Sequence, residues 1–445
     1  MTPHHPDAVS SRFTRLLPAG IWVIFFIITV VYTRQIMSGG HEWKTADWLI
    51  NYSDGMVRRG LIGHLIWLLS GWGIPILWLT YAVQLGIQVT LYGLILRLYN
   101  RIPRHWIWLF LLYSPGFLMF SLYQPLGGYR KEIMVLALFA YLCWQYTQHR
   151  LTPLKLAVIT LLYAMAGLSH ELTVFTYPFF VFILYRGVTH RRITAKVGLV
   201  TALGLMIVSL VVLGVSFQTR YPPHGASVIC QSLIQRGVDV TIKGHGSICG
   251  DWAIKKGVLN RDDVTGGAIE SLEANPADAR AMVISMFFGS SHPLLVIGRP
   301  LFLYALTLLP LCFTTFWQRT RVLFLLGGVV SFLPLFILAT DWGRWVAILA
   351  FMSICIALTD DIALSHRPKR WVIIVGMVYL STWSIPMFTG IDGGVIEWVA
   401  HYQHRIRQGL HREIRQVFPH NTQHRPFHPP RRVASSLLGH SLSPA

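Results

Sequence analysis

Charged residues are scarce in this chain: Asp, Glu, Lys and Arg make up 13% of 445 residues, against 53% hydrophobic ones. The mean hydropathy is +0.50. The long apolar runs lack alternation. That excludes a transmembrane barrel, whose strands alternate with a period of two. No internal repeat is visible, so the half-length symmetry of many secondary transporters is missing. No small-residue cleavage site follows the first apolar run, 21–36, which therefore reads as an uncleaved signal anchor behind Arg12 and Arg15. No RNA- or DNA-binding motif is present. Cysteine is rare, and three of the five, Cys143, Cys312 and Cys355, fall inside apolar spans. Cys230 and Cys249 remain, two thiols where a zinc site usually has four ligands, unless His224 and His245 complete one.

What the chain does have is repeated apolar runs of about 18 or more residues, enough to cross roughly 30 Å of hydrocarbon as helices. Backbone groups in lipid must be satisfied internally, and continuous runs choose helices over a barrel. The expected fold is an all-α polytopic membrane protein. It has about 11 transmembrane helices, a short interfacial helix and one large outer loop. The spans fall near 20–37, 74–96, 106–123, 132–147, 154–168, 172–186, 197–216, 293–316, 322–339, 345–359 and 371–389. The apolar piece 61–69 is too short to cross and belongs in the interface. The domain plan is a cytoplasmic N-terminus 1–19, a transmembrane domain 20–390 with an outer loop 217–290, and a basic tail 391–445 rich in His and Pro. After about Val417 the tail composition is that of a disordered segment.

The net charge is +19. Basic inner loops account for most of it. Arg97, Arg101 and Arg104, then Arg150 and Lys155, then Arg186, Arg191, Arg192 and Lys196, then Arg319 and Arg321, and finally Arg367, Lys369 and Arg370 all fall on one side when the spans alternate. The tail is the exception, because parity puts its arginines outside.

Against that rule stands the stretch Asp54-Gly55-Met56-Val57-Arg58-Arg59-Gly60, in the first outer loop. Two adjacent arginines on the outer side suggest an anionic partner at the membrane surface. Other polar groups fall at the same face: His41, Glu42, Lys44 and Asp47; Tyr129-Arg130-Lys131-Glu132; His170-Glu171; and Asp341-Trp342-Gly343-Arg344. Interfacial anchoring explains any one of them, since Arg and Lys snorkel and Trp forms belts. Chance would scatter them, and one face collects them all.

The chemistry of the set suits an anion. Arginine's planar fork fits phosphate, while lysine is a point charge. Arg58, Arg59, Arg130, Lys131 and Arg344 are the candidate phosphate ligands, supported by Glu132 and Asp341. Asp54, or Asp47 in its place, is the candidate general base for an acceptor hydroxyl. His170 and Glu171 are the second candidate catalytic pair; equally, they read as a capped junction between two half-helices. Trp43, Trp48, Tyr52, Tyr123 and Tyr129 suit stacking on sugar faces or an aromatic belt. Cys230 and Cys249 share one exported loop and read as a disulfide.

A first span entering from inside, an outer loop with an acidic residue and a short interfacial helix together resemble GT-C glycosyltransferases. The outer-face Arg and His also resemble O-antigen and exopolysaccharide polymerases and ligases. The resemblance covers the architecture of most of the chain; its motifs are loose, and the large soluble C-terminal domain of some GT-C enzymes is missing. It implies a bacterial inner-membrane enzyme that transfers saccharide from a polyprenyl-(pyro)phosphate donor at the periplasmic face. Asp54 and Asp47 would fill the acidic position, and arginines would hold the pyrophosphate. Membrane lipid and other polysaccharide-assembly proteins are the implied partners, with no nucleic acid. A divalent cation such as Mg²⁺ on Asp47 and Asp54 remains open. A transporter or flippase would carry polar residues through mid-membrane and on both faces, and a non-catalytic partner of a polysaccharide complex is the third reading.

Overall fold

The computed structural model describes residues 8–103, 106–124, 127–218, 225–242, 247–260, 267–272, 281, 284, 293–338, 341–360, 362 and 370–385. The expected tail, 391–445, and the ligand candidates His224 and His245 lie outside these residues.

The described residues are helical almost throughout. In chain order the helices are α1 (Ala8–Met37), α2 (Ala46–Leu49), α3 (Leu61–Ser70), α4 (Ile76–Tyr99), α5 (Ile107–Leu112), α6 (Phe120–Tyr123), α7 (Glu132–Thr147) and α8 (Pro153–Ser169). They continue with α9 (Tyr177–Thr189), α10 (Ala195–Gln218), α11 (Gly225–Ile234), α12 (Gly250–Lys255), α13 (Pro293–Leu308), α14 (Arg319–Leu338), α15 (Trp342–Ala357) and α16 (Arg370–Thr382). Five segments, Leu16–Met37, Ile76–Tyr99, Glu171–Thr189, Ala195–Phe217 and Arg319–Ile337, are long and apolar enough to cross a membrane. The chain is a helical membrane protein. On α10, Leu199, Val200, Ile207, Leu210 and Val211 all point outward. A helix apolar on every side belongs in lipid.

The expected count of about eleven crossings is not reproduced as such. The other expected spans coincide with apolar helices of 10–17 residues, or with less. At 106–123 there is no single helix: α5 stops at Leu112 and α6 starts at Phe120. Ser114-Pro115-Gly116 lies between them. Proline removes an amide donor and clashes with the preceding turn. Gly116 is pressed against α13, where a Cβ would lie 2.4 Å from Thr307 Oγ1.

The described residues of the outer loop 217–290 carry regular structure. They include α11, α12 and the disulfide Cys230–Cys249, with Cα atoms 5.8 Å apart. Ile229, Leu233, Ile248 and Ile269 pack on Trp48, Leu49 and Ile50 of the first loop. Asn51 donates to Ser232 Oγ at 3.3 Å, and the Ala268 amide donates to the Glu42 carbonyl at 2.8 Å. From below, α3 closes on the same loop through Gly63, where a Cβ would stand 1.9 Å from the Ile50 carbonyl oxygen. The glycine thus serves a close approach of backbone to backbone. The first loop is held between a disulfide-stapled cap and a short helix.

Candidate functional site

The loop before α7 sets the site. Tyr129 has φ of 57°, a left-handed conformation that costs a non-glycine residue energy. Two buried side chains hold it there: Trp48 Nε1 and Gln84 Nε2 each donate to the Tyr129 carbonyl at 2.9 Å. Gln84 also donates to the Lys44 carbonyl at 2.9 Å, and the Tyr32 hydroxyl donates to Gln84 Oε1 at 2.8 Å. The bend turns Arg130 and Lys131 inward, and both are buried. Arg59, on the first loop, is a second left-handed residue, with φ of 66°.

From these supports a chain of charges runs across the face. Arg59 Nε donates to both Glu171 oxygens, at 2.9 and 2.8 Å, and Nη2 lies 2.5 Å from Oε1. Lys131 Nζ donates to the Arg59 carbonyl at 2.6 Å and lies 3.9 Å from Asp47 Oδ1. Arg344 Nη2 lies 2.5 Å from Glu132 Oε1, and Nη1 lies 3.0 Å from Asp341 Oδ2. His170 bridges the two halves, with Nε2 at 3.4 Å from Glu132 Oε1 and Nδ1 at 3.9 Å from Glu171 Oε2.

Of the two readings of His170-Glu171, a catalytic pair or a capped junction, the cap is seen directly. α8 ends at Ser169, and His170 Nδ1 accepts from the Leu172 amide at 3.2 Å, starting the 3-10 turn Glu171–Thr176. Because Nδ1 accepts there, neutral His170 carries its proton on Nε2, toward Glu132.

Most of this charge is paired. Arg59, Lys131 and Arg344 are engaged by Glu171, by a carbonyl and Asp47, and by Glu132 and Asp341. Two side chains are less complete. Asp47 is fully buried, and beyond the ion pair with Lys131 neither of its oxygens accepts a hydrogen bond among the described residues. Arg130 is 2% exposed, lies over the Trp43 ring at 5.3 Å, and its Nε and Nη1 find no acceptor there. Arg344 Nε is unpartnered too. Buried polar groups are nearly always hydrogen-bonded, and each exception asks for an explanation.

Titration follows from the same layout. Burial pushes the Asp47 carboxyl up, but Lys131, His170, Arg130 and Arg59 outweigh it and hold the group below its ordinary value. Burial pulls Lys131 down to about 8, against the pull of Asp47. Lys44 is pulled down by burial to about 7; its ammonium donates to Gln35 Oε1 at 2.6 Å.

The structure therefore brings together Asp47, Arg59, Arg130, Lys131, Glu132, His170, Glu171, Asp341 and Arg344. Asp54, the first-choice base, is not among them: it is partly exposed on its turn and makes no hydrogen bond or ion pair among the described residues. Arg58 stays near the rim, within electrostatic reach of Glu171. Among the described residues, no three His, Cys, Asp or Glu side chains converge as a metal site. Gln84 was missed from the sequence, although a signal for it exists. Thr80, Gln84 and Gln88 recur every fourth residue in an apolar span, which puts them on one helix face, and all are buried.

Compared with known proteins, the chain matches no family model, no curated protein and no solved structure.

Proposed function

We propose that this protein is a glycosyltransferase or polymerase of surface polysaccharide in the bacterial inner membrane, using a polyprenyl-(pyro)phosphate-linked donor at the periplasmic face. The observation that supports it most is the pair Asp47 and Arg130. Both are buried in one cluster, and among the described residues neither Asp47 oxygen accepts a hydrogen bond while Nε and Nη1 of Arg130 find no acceptor. A phosphate with an adjoining hydroxyl-bearing acceptor supplies what each lacks.

In this reading the acceptor oxygen attacks the anomeric carbon of the donor. The bond from that carbon to the phosphate oxygen breaks, and its electron pair leaves on the phosphate. Arg130 and the Nε of Arg344 take up the developing charge, an electrostatic role suited to guanidinium. The acceptor's proton passes to Asp47. The bound anion also weakens the cationic field that holds Asp47 acidic, and so raises its proton affinity when the substrate is present. Glu132, His170 and Glu171 keep the arginines in place. Asp54 loses the role of base to Asp47.

Profiling lipid-linked saccharides in cells that carry Asp47→Asn or Arg130→Ala tests this. Losing one such group costs about 100-fold or more in turnover, seen as accumulated donor at normal protein level. An unchanged profile in both variants removes the reading.

A transporter of lipid-linked sugar is the second reading, favoured by the polar stripe Thr80, Gln84 and Gln88 inside α4. Movement of labelled lipid-linked sugar across vesicles without chain growth would select it. A non-catalytic role beside other polysaccharide-assembly proteins predicts lost co-purification with unchanged chemistry.

A further inference from the structure

Beside the charged cluster, α4, α6, α7 and α15 leave a small pocket between them. Its room for water centres is about 60 Å³. That is far below the roughly 300–1,000 Å³ of small-ligand sites. One water needs roughly 10–15 Å³ of such room, so about four fit. Apolar side chains such as Leu91, Phe117 and Phe351 make most of the wall. Polar groups break it on every side: Gln88 from α4, Ser121 from α6, Glu132 from α7 and Arg344 from α15.

Two of these groups are incomplete. Gln88 is 3% exposed, and its Oε1 finds no donor among the described residues. Arg344 is buried, and its Nε finds no acceptor among them. Gln88 lies one helical turn, about 6 Å, deeper than Gln84. The Gln84 amide is used by Tyr32, Lys44 and Tyr129. The same residue type on the same helix face is thus satisfied at one level and short of a donor at the next. Ser121 and Gly127, just ahead of the bend at Tyr129, are partly exposed, which puts a mouth on the first-loop side.

The mixture of groups selects the occupant. The Glu132 carboxylate repels an anion, and the Arg344 guanidinium repels a cation. The open amide oxygen of Gln88 rejects an apolar group. A neutral molecule that both donates and accepts suits all three, and at this size that molecule is water.

We infer that the pocket is a built hydration site. A string of about four waters enters past Ser121, bonds Glu132 and Arg344, and ends on Gln88 Oε1. These waters solvate the unfinished cluster when no ligand is bound, because a buried ion without partners is far costlier than a water-bridged one. Only the contact at Arg344 Nε rests on the reading above: there an arriving phosphate oxygen displaces the nearest water.

Hydroxyl-radical labelling by X-ray pulses, on the purified full chain in detergent, tests this. Radicals formed from a bound water modify the side chains beside it, so buried residues that touch water label faster than buried residues that do not. Phe117 and Phe351 line the pocket; Phe139 and Phe180 line no part of it, and all four are buried. The first pair should label several-fold faster than the second. Ala347 is a buried lining residue, so Ala347→Leu fills the pocket and should bring the two pairs to the same rate. Gln88→Leu, which removes the terminal acceptor, replaces it if the first variant does not fold, and the same result is expected. Equal labelling of both pairs in the wild type overturns the inference, as does fast labelling of Phe117 and Phe351 that persists in a folded variant. The two proposals fail separately, because no lipid or saccharide enters this experiment: continued polysaccharide synthesis with Asp47→Asn removes the enzyme reading and leaves the hydration result standing.

Discussion

Two charged clusters sit at opposite ends of the same helices. α7 begins at Glu132 and ends beside Tyr146; α15 begins near Arg344 and is followed by Asp360. At the far end Asp360 lies between two arginines. Its Oδ1 accepts from Arg186, and its Oδ2 lies 2.7 Å from Arg321 Nη2. Arg186 also donates to Thr359 Oγ1 at 2.8 Å, and Arg321 to the Phe316 carbonyl at 2.8 Å. The rings of Tyr146 and Phe182 lie under the Arg186 guanidinium. At the first-loop end Asp47 has Lys131 at 3.9 Å but no hydrogen bond, and Nε and Nη1 of Arg130 have no acceptor among the described residues. A buried charge is tolerated when paired and hydrogen-bonded. One cluster is therefore closed, tying α9, α14 and the end of α15 together. The other is unfinished and suits a ligand.

Removing the closed cluster's carboxylate is the strongest way to break this contrast. Asp360→Ala leaves buried guanidinium groups uncompensated and should cost about 3–5 kcal/mol. Thermal unfolding of the purified protein reads this, and turnover per folded molecule should be unchanged. Asp47→Asn should cost less in stability, since its one ion pair is with Lys131 at 3.9 Å, and should instead abolish turnover per folded molecule.

Next in size is the disulfide. Breaking it with Cys230→Ser should cost roughly 2–4 kcal/mol, and proteolysis should then cut preferentially between 225 and 272. Cleavage confined to the far-face loops would show that the cap does not depend on the bridge.

A smaller effect concerns Lys131. Its pKa is lowered to about 8, so it is charged below that and neutral above. Affinity for an anionic ligand should fall as the pH rises from 7 to 9, by about tenfold for one lost charge-assisted contact. Lys131→Arg should abolish the dependence. The stability term has the other sign: the folded chain binds fewer protons than the unfolded chain above about 8, so this group favours folding more as the pH rises toward its ordinary value. A pH titration of binding beside one of melting separates the two.

The smallest expected effect sharpens the assignment within the first loop. Asp54→Asn should change stability by no more than about 0.5 kcal/mol and leave the lipid-linked saccharide profile alone. A profile matching that of Asp47→Asn would return Asp54 to the site.

The membrane class and the grouping of charges on one face were legible because each rests on a property local in sequence. Apolar run length gives helices, and the polar groups lie where the runs end. That Asp47, and not Asp54, is buried in the charged cluster was not legible. Both are acidic residues in one loop, and what separates them is burial under a cap whose residues lie far along the chain. The break at Ser114-Pro115-Gly116 was legible from proline and glycine, yet mean hydropathy hid it, since it averages over the turn. Gln84 was hidden differently. A glutamine in an apolar span looks like a single tolerated polar residue until its carbonyl partners, Lys44 and Tyr129, are known.

The pairing of Glu132 with Arg344 also has a consequence in time. The chain is made from the N-terminus, so Glu132 and His170 are in place long before α15 exists. Until Arg344 arrives, Glu132 has only His170 and Arg130 to balance it, and full neutralisation of the site is among the last steps of assembly. A chain that stops before α15 lacks the guanidinium that lies nearest this carboxylate.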